Sequence, residues 1–144
     1  MSGTGKSTVL GELARRGHRV VDTDVGGWID ESGAERLWRD DRIGALLDEH
    51  AGGALFVAGC VANQGRFYPR FDGVVLLSAP ADVILDRLAT RLTNDFGKSA
   101  AEREQILRDL SSVEPLLRAG ATAEIDTRRP LEDVVAELEG LAGV

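Results

Sequence analysis

The chain has 144 residues, 43% of them hydrophobic, and a formal net charge of -7 at pH 7. This length and apolar content fit one folded domain and exclude disorder, while the acidic balance excludes a general binder of nucleic acid or anionic membrane, which needs a concentrated positive field. The lone cysteine, Cys60, excludes an internal disulfide, and no stretch has the length of a transmembrane helix or the layout of a signal peptide, so the cytoplasm is the expected compartment.

In chain order, the opening MSGTGKST leads into a helix over Lys6–Arg16, where Val9, Leu10, Leu13 and Ala14 recur at helical spacing and Gly17 stands at the stop. HRVVDTD predicts a short strand ending in acidic residues. A second helix is predicted over Trp28–Ala51, carrying Leu37, Trp38, Leu46 and Leu47. ALFVAG and GVVLLSA are continuous apolar runs of strand length, the pattern of parallel strands covered by helices on both faces. NQGRFYPRF connects them as an irregular or helical segment. Pro80 and Asp82 open a helix through Leu85 and Leu88; the polar TNDFGKSAAERE follows, then a helical run with Ile106, Leu107 and Leu110 and a further turn at Pro115. TAEIDT predicts the last strand, and Pro130 starts a closing helix through Val134, Val135 and Leu138. Such alternation of strand and helix is the mark of a doubly wound α/β sheet, with ligands at the carboxyl ends of its strands.

Two stretches carry chemistry. SGTGKST has the second half of the phosphate-loop pattern G-x-x-x-x-G-K-[ST]. Glycines let successive backbone N–H groups converge, the following helix adds its N-terminal dipole, and a lysine brings a mobile positive charge. Gly3, Thr4, Gly5, Lys6, Ser7 and Thr8 supply these groups, with Lys6 on the outer phosphates and the Ser7 hydroxyl as a ligand of Mg2+. After the first strand, Asp22 and Asp24 point the same way, because side chains alternate along a strand. One carboxylate beside Mg2+ can hold a metal-bound water while the other orients or deprotonates an attacking hydroxyl.

With GTGKST, VVDTD, a glycine-containing turn after the third strand and EPLLRAGATAEIDT, the chain resembles the shikimate-kinase-like and nucleotide-kinase-like group of P-loop kinases over nearly its whole length. Through NQGRFYPRFD and TNDFGKS it is similar to small shikimate-kinase-like ATP-binding proteins. The resemblance implies a P-loop NTPase fold, a three-layer α/β/α domain with a mostly parallel sheet, using ATP and Mg2+. It implies that Asp22 serves the metal and Asp24 the acceptor hydroxyl, and that Arg39, which follows an aromatic as in the family, binds the acceptor. By the same likeness Gly59 lies at the acceptor side and a lid spans about 91–103; Arg66 and Arg70, in the connection after the third strand, are further acceptor-facing candidates, and IDTRRP is expected to form the loop near the adenine, chiefly through backbone groups around Thr127. Arg91 of that lid would stabilise the transferring phosphoryl group, a task that Lys98 and Arg103 could share. Where shikimate kinases have three glycines this chain has Gly59-Cys60-Val61, and Val113 replaces an arginine that grips carboxylate, which speaks against shikimate itself.

In this fold class the strand before the phosphate loop is central, and the loop's first glycine would fall one position before Met1. Roughly eight to twelve upstream residues are therefore expected to supply both; otherwise the neighbouring strands must pair directly or borrow a strand from another chain, so that a monomer and a homodimer are both open. The expected activity is phosphoryl transfer from ATP to a small metabolite. The alternatives are a regulatory nucleotide-binding switch, since Asp24-Val25-Gly26-Gly27 fits D-x-x-G, and a catalytically impaired ATP-binding protein; an AAA-type motor ranks lower, because LFVAGC does not end in paired acids.

Overall fold

The computed structural model describes residues 4–90 and 100–144. They fall into two compact units, one of Met1–Lys6 with Val74–Val134 and one of Ser7–Gly73 with Val135–Val144.

Helix α1 (Lys6–Arg15), which belongs to the second of these from Ser7 onward, buries Val9, Leu10 and Leu13 on one face. It ends on Gly17, at φ +92°, where the Gly17 N–H bonds the Ala14 carbonyl at 3.0 Å and the His18 N–H bonds the Leu13 carbonyl at 3.1 Å. This double closure needs a left-handed residue, which glycine adopts without a Cβ penalty. Strand β1 (Arg19–Asp22) then runs parallel to β4 (Leu55–Ala58), in register from Arg19↔Leu55 to Asp22↔Ala58.

The helix predicted over Trp28–Ala51 is corrected. Residues Ile29–Asp30 (β2) and Leu37–Trp38 (β3) form an antiparallel ribbon, and helix α2 occupies only Asp40–Glu49. The cause is local. Asp30 Oδ1 accepts the Ser32 N–H at 2.9 Å and its hydroxyl at 2.6 Å, a side-chain turn that competes with helical hydrogen bonding. Helix α2 starts behind Arg39 with Asp40 and Asp41 in its first turn, where negative charge favours the helix dipole. It buries Ile43 and Leu46. The NQGRFYPRF connection contains a 3-10 helix over Gln64–Arg70.

In the other unit, β5 (Val75–Ser78) runs parallel to β6 (Ala123–Asp126), from Val75↔Ala123 to Ser78↔Asp126. Parallel pairing needs a long crossover, here made by helices α3 (Ala81–Thr90), α4 (Ala100–Ser112) and α5 (Glu114–Gly120). Ala79, Ile84, Leu88 and Ile106 form its buried cluster, flanked by Val83, Leu85 and Leu110. Pro115 stands at the start of α5, as its missing N–H permits. The closing helix α6 (Leu131–Ala142) contributes Val134 here, and Val135 and Leu138 to the buried residues of the Ser7–Gly73 unit.

The four strands expected in one doubly wound sheet are thus present as two parallel pairs, and the β2–β3 ribbon, which was not expected, is a third two-stranded sheet. Among the described residues, β4 and β5 each have a ladder on one edge only. All four residues of β4 are half-buried, although their apolar run predicted burial on both faces. No helix among the described residues is long and apolar enough to cross a membrane.

Candidate functional site

The phosphate loop is described from Thr4 onward; Gly3, Arg91 and Lys98 lie outside the described residues. Thr4 is buried, and Gly5 has φ +93°, the left-handed conformation that lets the chain turn into α1. An ideal Cβ on Gly5 would meet only the Thr127 Cβ, at 3.9 Å, so backbone conformation rather than space fixes the glycine. Lys6 is the first residue of α1, half-buried, and Ser7 and Thr8 follow exposed in the first turn. The start of an α-helix, with its N–H groups pointing outward and its positive dipole end, is the kind of place where an anion is bound.

Within the Ser7–Gly73 unit, β1 delivers Asp22 to the start of α1. The Ser7 hydroxyl donates to Asp22 Oδ2 at 3.5 Å, and Asp22 Oδ1 accepts the Asp24 N–H at 3.0 Å. One carboxylate therefore faces the loop serine with one oxygen and fixes the backbone of the second aspartate with the other. These oxygens suit Mg2+, which takes one or two protein ligands and fills the rest of its sphere with phosphate oxygens and water. No group of three or more metal-binding side chains occurs among the described residues.

Asp24 is half exposed and has a partner that sequence reasoning missed. Arg36, on the turn side of the ribbon, brings Nη2 within 3.6 Å of Asp24 Oδ1 while its Nε bonds Glu31 at 2.8 Å. The helix predicted for this segment concealed the pairing, since a hairpin alone returns Arg36 to the end of β1. Beyond Asp24, Gly26 and Gly27 have φ of +89° and +80°. Arg42 of α2 holds them, donating to the Gly26 carbonyl at 2.7 Å and the Gly27 carbonyl at 2.8 Å. Its guanidinium lies 4.4 Å from the centroid of the Trp28 ring.

Thr23, between the two aspartates, is buried. Its hydroxyl donates to the Ala58 carbonyl at 2.7 Å and accepts the Trp38 indole N–H at 3.0 Å. Gly59 is packed against both: a Cβ there would run into Thr23 Oγ1 and come within 3.2 Å of the indole. The glycine expected to contact the acceptor thus has a packing duty that its sequence position did not reveal. Arg39 is exposed just ahead of α2, its N–H bonded to the Trp28 carbonyl at 2.8 Å. Its charge adds to the pull that Ser32, through two hydrogen bonds, exerts on the Asp30 carboxyl, holding it below the usual range. Arg66, on the 3-10 helix, is exposed and paired with Asp40 at 3.0 Å.

In the other unit, Thr127 directly follows β6. Its N–H bonds the Ser78 carbonyl at 2.9 Å, and Arg87 of α3 clamps it with Nη1 on Oγ1 and Nη2 on the carbonyl, both at 2.8 Å. The backbone groups expected to serve a nucleotide base are therefore engaged by the protein itself. Arg87, which no motif marked, shapes this loop. Asp126 beside it is held below the usual carboxylate range, chiefly by the Arg128 guanidinium. Arg103, in the first turns of α4, is exposed.

No curated protein matches the chain. A family model described as an AAA domain matches residues 1–108, a span that takes in the phosphate loop, the Asp22–Asp24 pair and both apolar runs. It supports nucleotide binding without singling out the shikimate-kinase-like group. With a loop glycine in the required conformation, a serine and an aspartate facing each other beyond it, and three-quarters of the sequence matched, the chain belongs to this AAA-domain family of P-loop NTPases.

Proposed function

We propose that the protein is an ATP-dependent kinase that phosphorylates a hydroxyl or phosphate on a small metabolite. The observation that carries this is the joining of Ser7, Asp22 and Asp24 by the 3.5 Å and 3.0 Å contacts. A metal ligand and an acceptor-orienting carboxylate are held two residues apart, as transfer to a bound hydroxyl requires. Lys6 and the loop amides bind and orient the phosphates, Ser7 and Asp22 hold the metal side, and Asp24 receives or orients the acceptor proton. Bound Mg2+ would supply charge neutralisation at the phosphates. Arg39, Arg66 and the Gly59 turn are the acceptor-side candidates, and Arg91 the lid candidate.

An ADP-release screen across hydroxy acids, sugars, nucleosides and nucleotides tests the reading. One acceptor class should stimulate release, and Asp24→Asn should remove the stimulation while leaving ATP binding intact. Stimulation that survives Asp24→Asn would refute the role of Asp24. A second reading, a regulatory NTPase, is favoured by the exposed Val25-Gly26-Gly27 loop, with Val25 66% exposed and both glycines at positive φ. It expects slow hydrolysis that no small acceptor accelerates. The kinase reading is preferred because its acids, Asp22 and Asp24, follow the first strand rather than β4.

A further inference from the structure

Trp38 is far from the aspartates in sequence yet is tied to the residue between them. It is 6% exposed and held on several sides. Its N–H donates to Asn63 Oδ1 at 2.8 Å, its carbonyl accepts Asn63 Nδ2 at 3.1 Å, and its ring meets Phe67 edge-on at 5.8 Å. Its indole N–H ends on Thr23 Oγ1, whose own proton goes to the Ala58 carbonyl. The Thr23 N–H bonds that same carbonyl at 3.0 Å. The peptide bonds on either side of Thr23 lead directly to Asp22 and Asp24, so anything that fixes Thr23 restrains the backbone from which both carboxylates project.

We infer that Trp38 is the positioning residue of the Asp22–Asp24 pair, acting through Thr23 Oγ1. The inference rests on the kinase reading for what the two carboxylates do. It does not rest on that reading for the link itself. The indole offers a single donor in a rigid frame, and Asn63 and Phe67 immobilise that frame, so the hydrogen bond acts as a fixed stop for the threonine side chain. Loss of the indole N–H leaves the Thr23 hydroxyl still donating to Ala58; the protein folds and the stop is gone. Small displacements of a reacting group are costly to rate, with about 1 Å worth as much as roughly 100-fold.

Trp38→Phe and Thr23→Val remove the two halves of the link, and Thr23→Ser keeps the hydroxyl. In the ATP-free protein, the indole N–H resonance of Trp38 should shift and exchange faster in Thr23→Val, and should stay near its original position in Thr23→Ser. In calorimetry, Trp38→Phe and Thr23→Val should raise the Mg2+ concentration for half-saturation of ATP binding about threefold or more. ATP affinity without Mg2+ should stay the same. With the acceptor found by the screen, both should lower kcat about tenfold with KM for ATP within about twofold, and Thr23→Ser should recover most of the loss. A Trp38→Phe protein with the original Mg2+ requirement, or a Thr23→Ser protein as impaired as Thr23→Val, overturns the inference. Absence of acceptor-stimulated turnover in the unaltered protein would instead defeat the kinase reading, and the Mg2+ titration and the indole resonance would then decide the positioning role alone.

Discussion

Gly59 has no room for a side chain, because the Thr23 hydroxyl and the Trp38 indole fill the place of its Cβ. Both neighbours are buried and hydrogen-bonded, so neither can retreat cheaply. Gly59→Ala is expected to destabilise the protein by about 1–3 kcal/mol, the usual cost of overpacking, and a denaturant titration measures it directly; an unchanged midpoint would show that the turn relaxes. Arg42 makes the opposite case, a half-buried side chain whose contacts organise a loop. Arg42→Ala removes two hydrogen bonds to carbonyls and the stack on Trp28, and should cost about 1–2 kcal/mol while increasing amide exchange at Gly26 and Gly27. The meeting of Asp22 with Ser7 could be read from sequence, because strand alternation and the neighbouring phosphate loop constrain the two together. Arg36, Thr23 and Arg87 could not, since their partners lie across a hairpin, a parallel ladder and a crossover, none of which leaves a short-range signature.

Several elements are fastened by carboxylates. Glu139 on α6 accepts from His18 Nε2 at 2.7 Å and from Arg16 at 2.6 Å, and the His18 ring meets Phe56 edge-on. The His18 hydrogen bond first, then burial in the opposing direction, then Arg16 set the balance, and the Glu139 carboxyl is held below its ordinary value. A carboxylate whose folded value is depressed contributes stability that is present above the unfolded value, about 4.3, and is lost as pH falls through the lower folded one. The thermal midpoint of Glu139→Gln should therefore lie below that of the unaltered protein at neutral pH, with the gap closing as pH falls below about 4. A gap independent of pH would assign the loss to packing. Glu124 on β6, depressed first by Arg118 and then by Ser78, should follow the same course. At this scale the helices at Lys6–Arg15 and Ala81–Thr90 and the four apolar strands were legible, since periodicity and glycine or proline punctuation agree there. The ribbon was not, because Leu37 and Trp38 satisfy a helical spacing with Leu46 and Leu47 just as well. A serine turn at Asp30 decided the matter.

Each unit has its own fully buried anchor, Ile43 in one and Ile84 in the other, both 0% exposed. Ile43→Ala and Ile84→Ala should each cost about 2–5 kcal/mol; hydrogen exchange should report the first in the β1–β4 ladder and the second in β5–β6. If either substitution left protection in its own ladder unchanged, that ladder would not depend on the anchor. The α/β class was legible at whole-molecule scale from the order of apolar runs and helices. Sheet continuity was not, because an apolar run records burial and says nothing of which edge is hydrogen-bonded. One consequence of the aromatic placement is practical. Both tryptophans, Trp28 and Trp38, and the single tyrosine, Tyr68, belong to the Ser7–Gly73 unit, while Val74–Val134 has only Phe96. Intrinsic fluorescence is therefore blind to half of the molecule, and an emission melt that looks complete records the state of one unit, leaving the other to be followed by ellipticity or an introduced chromophore.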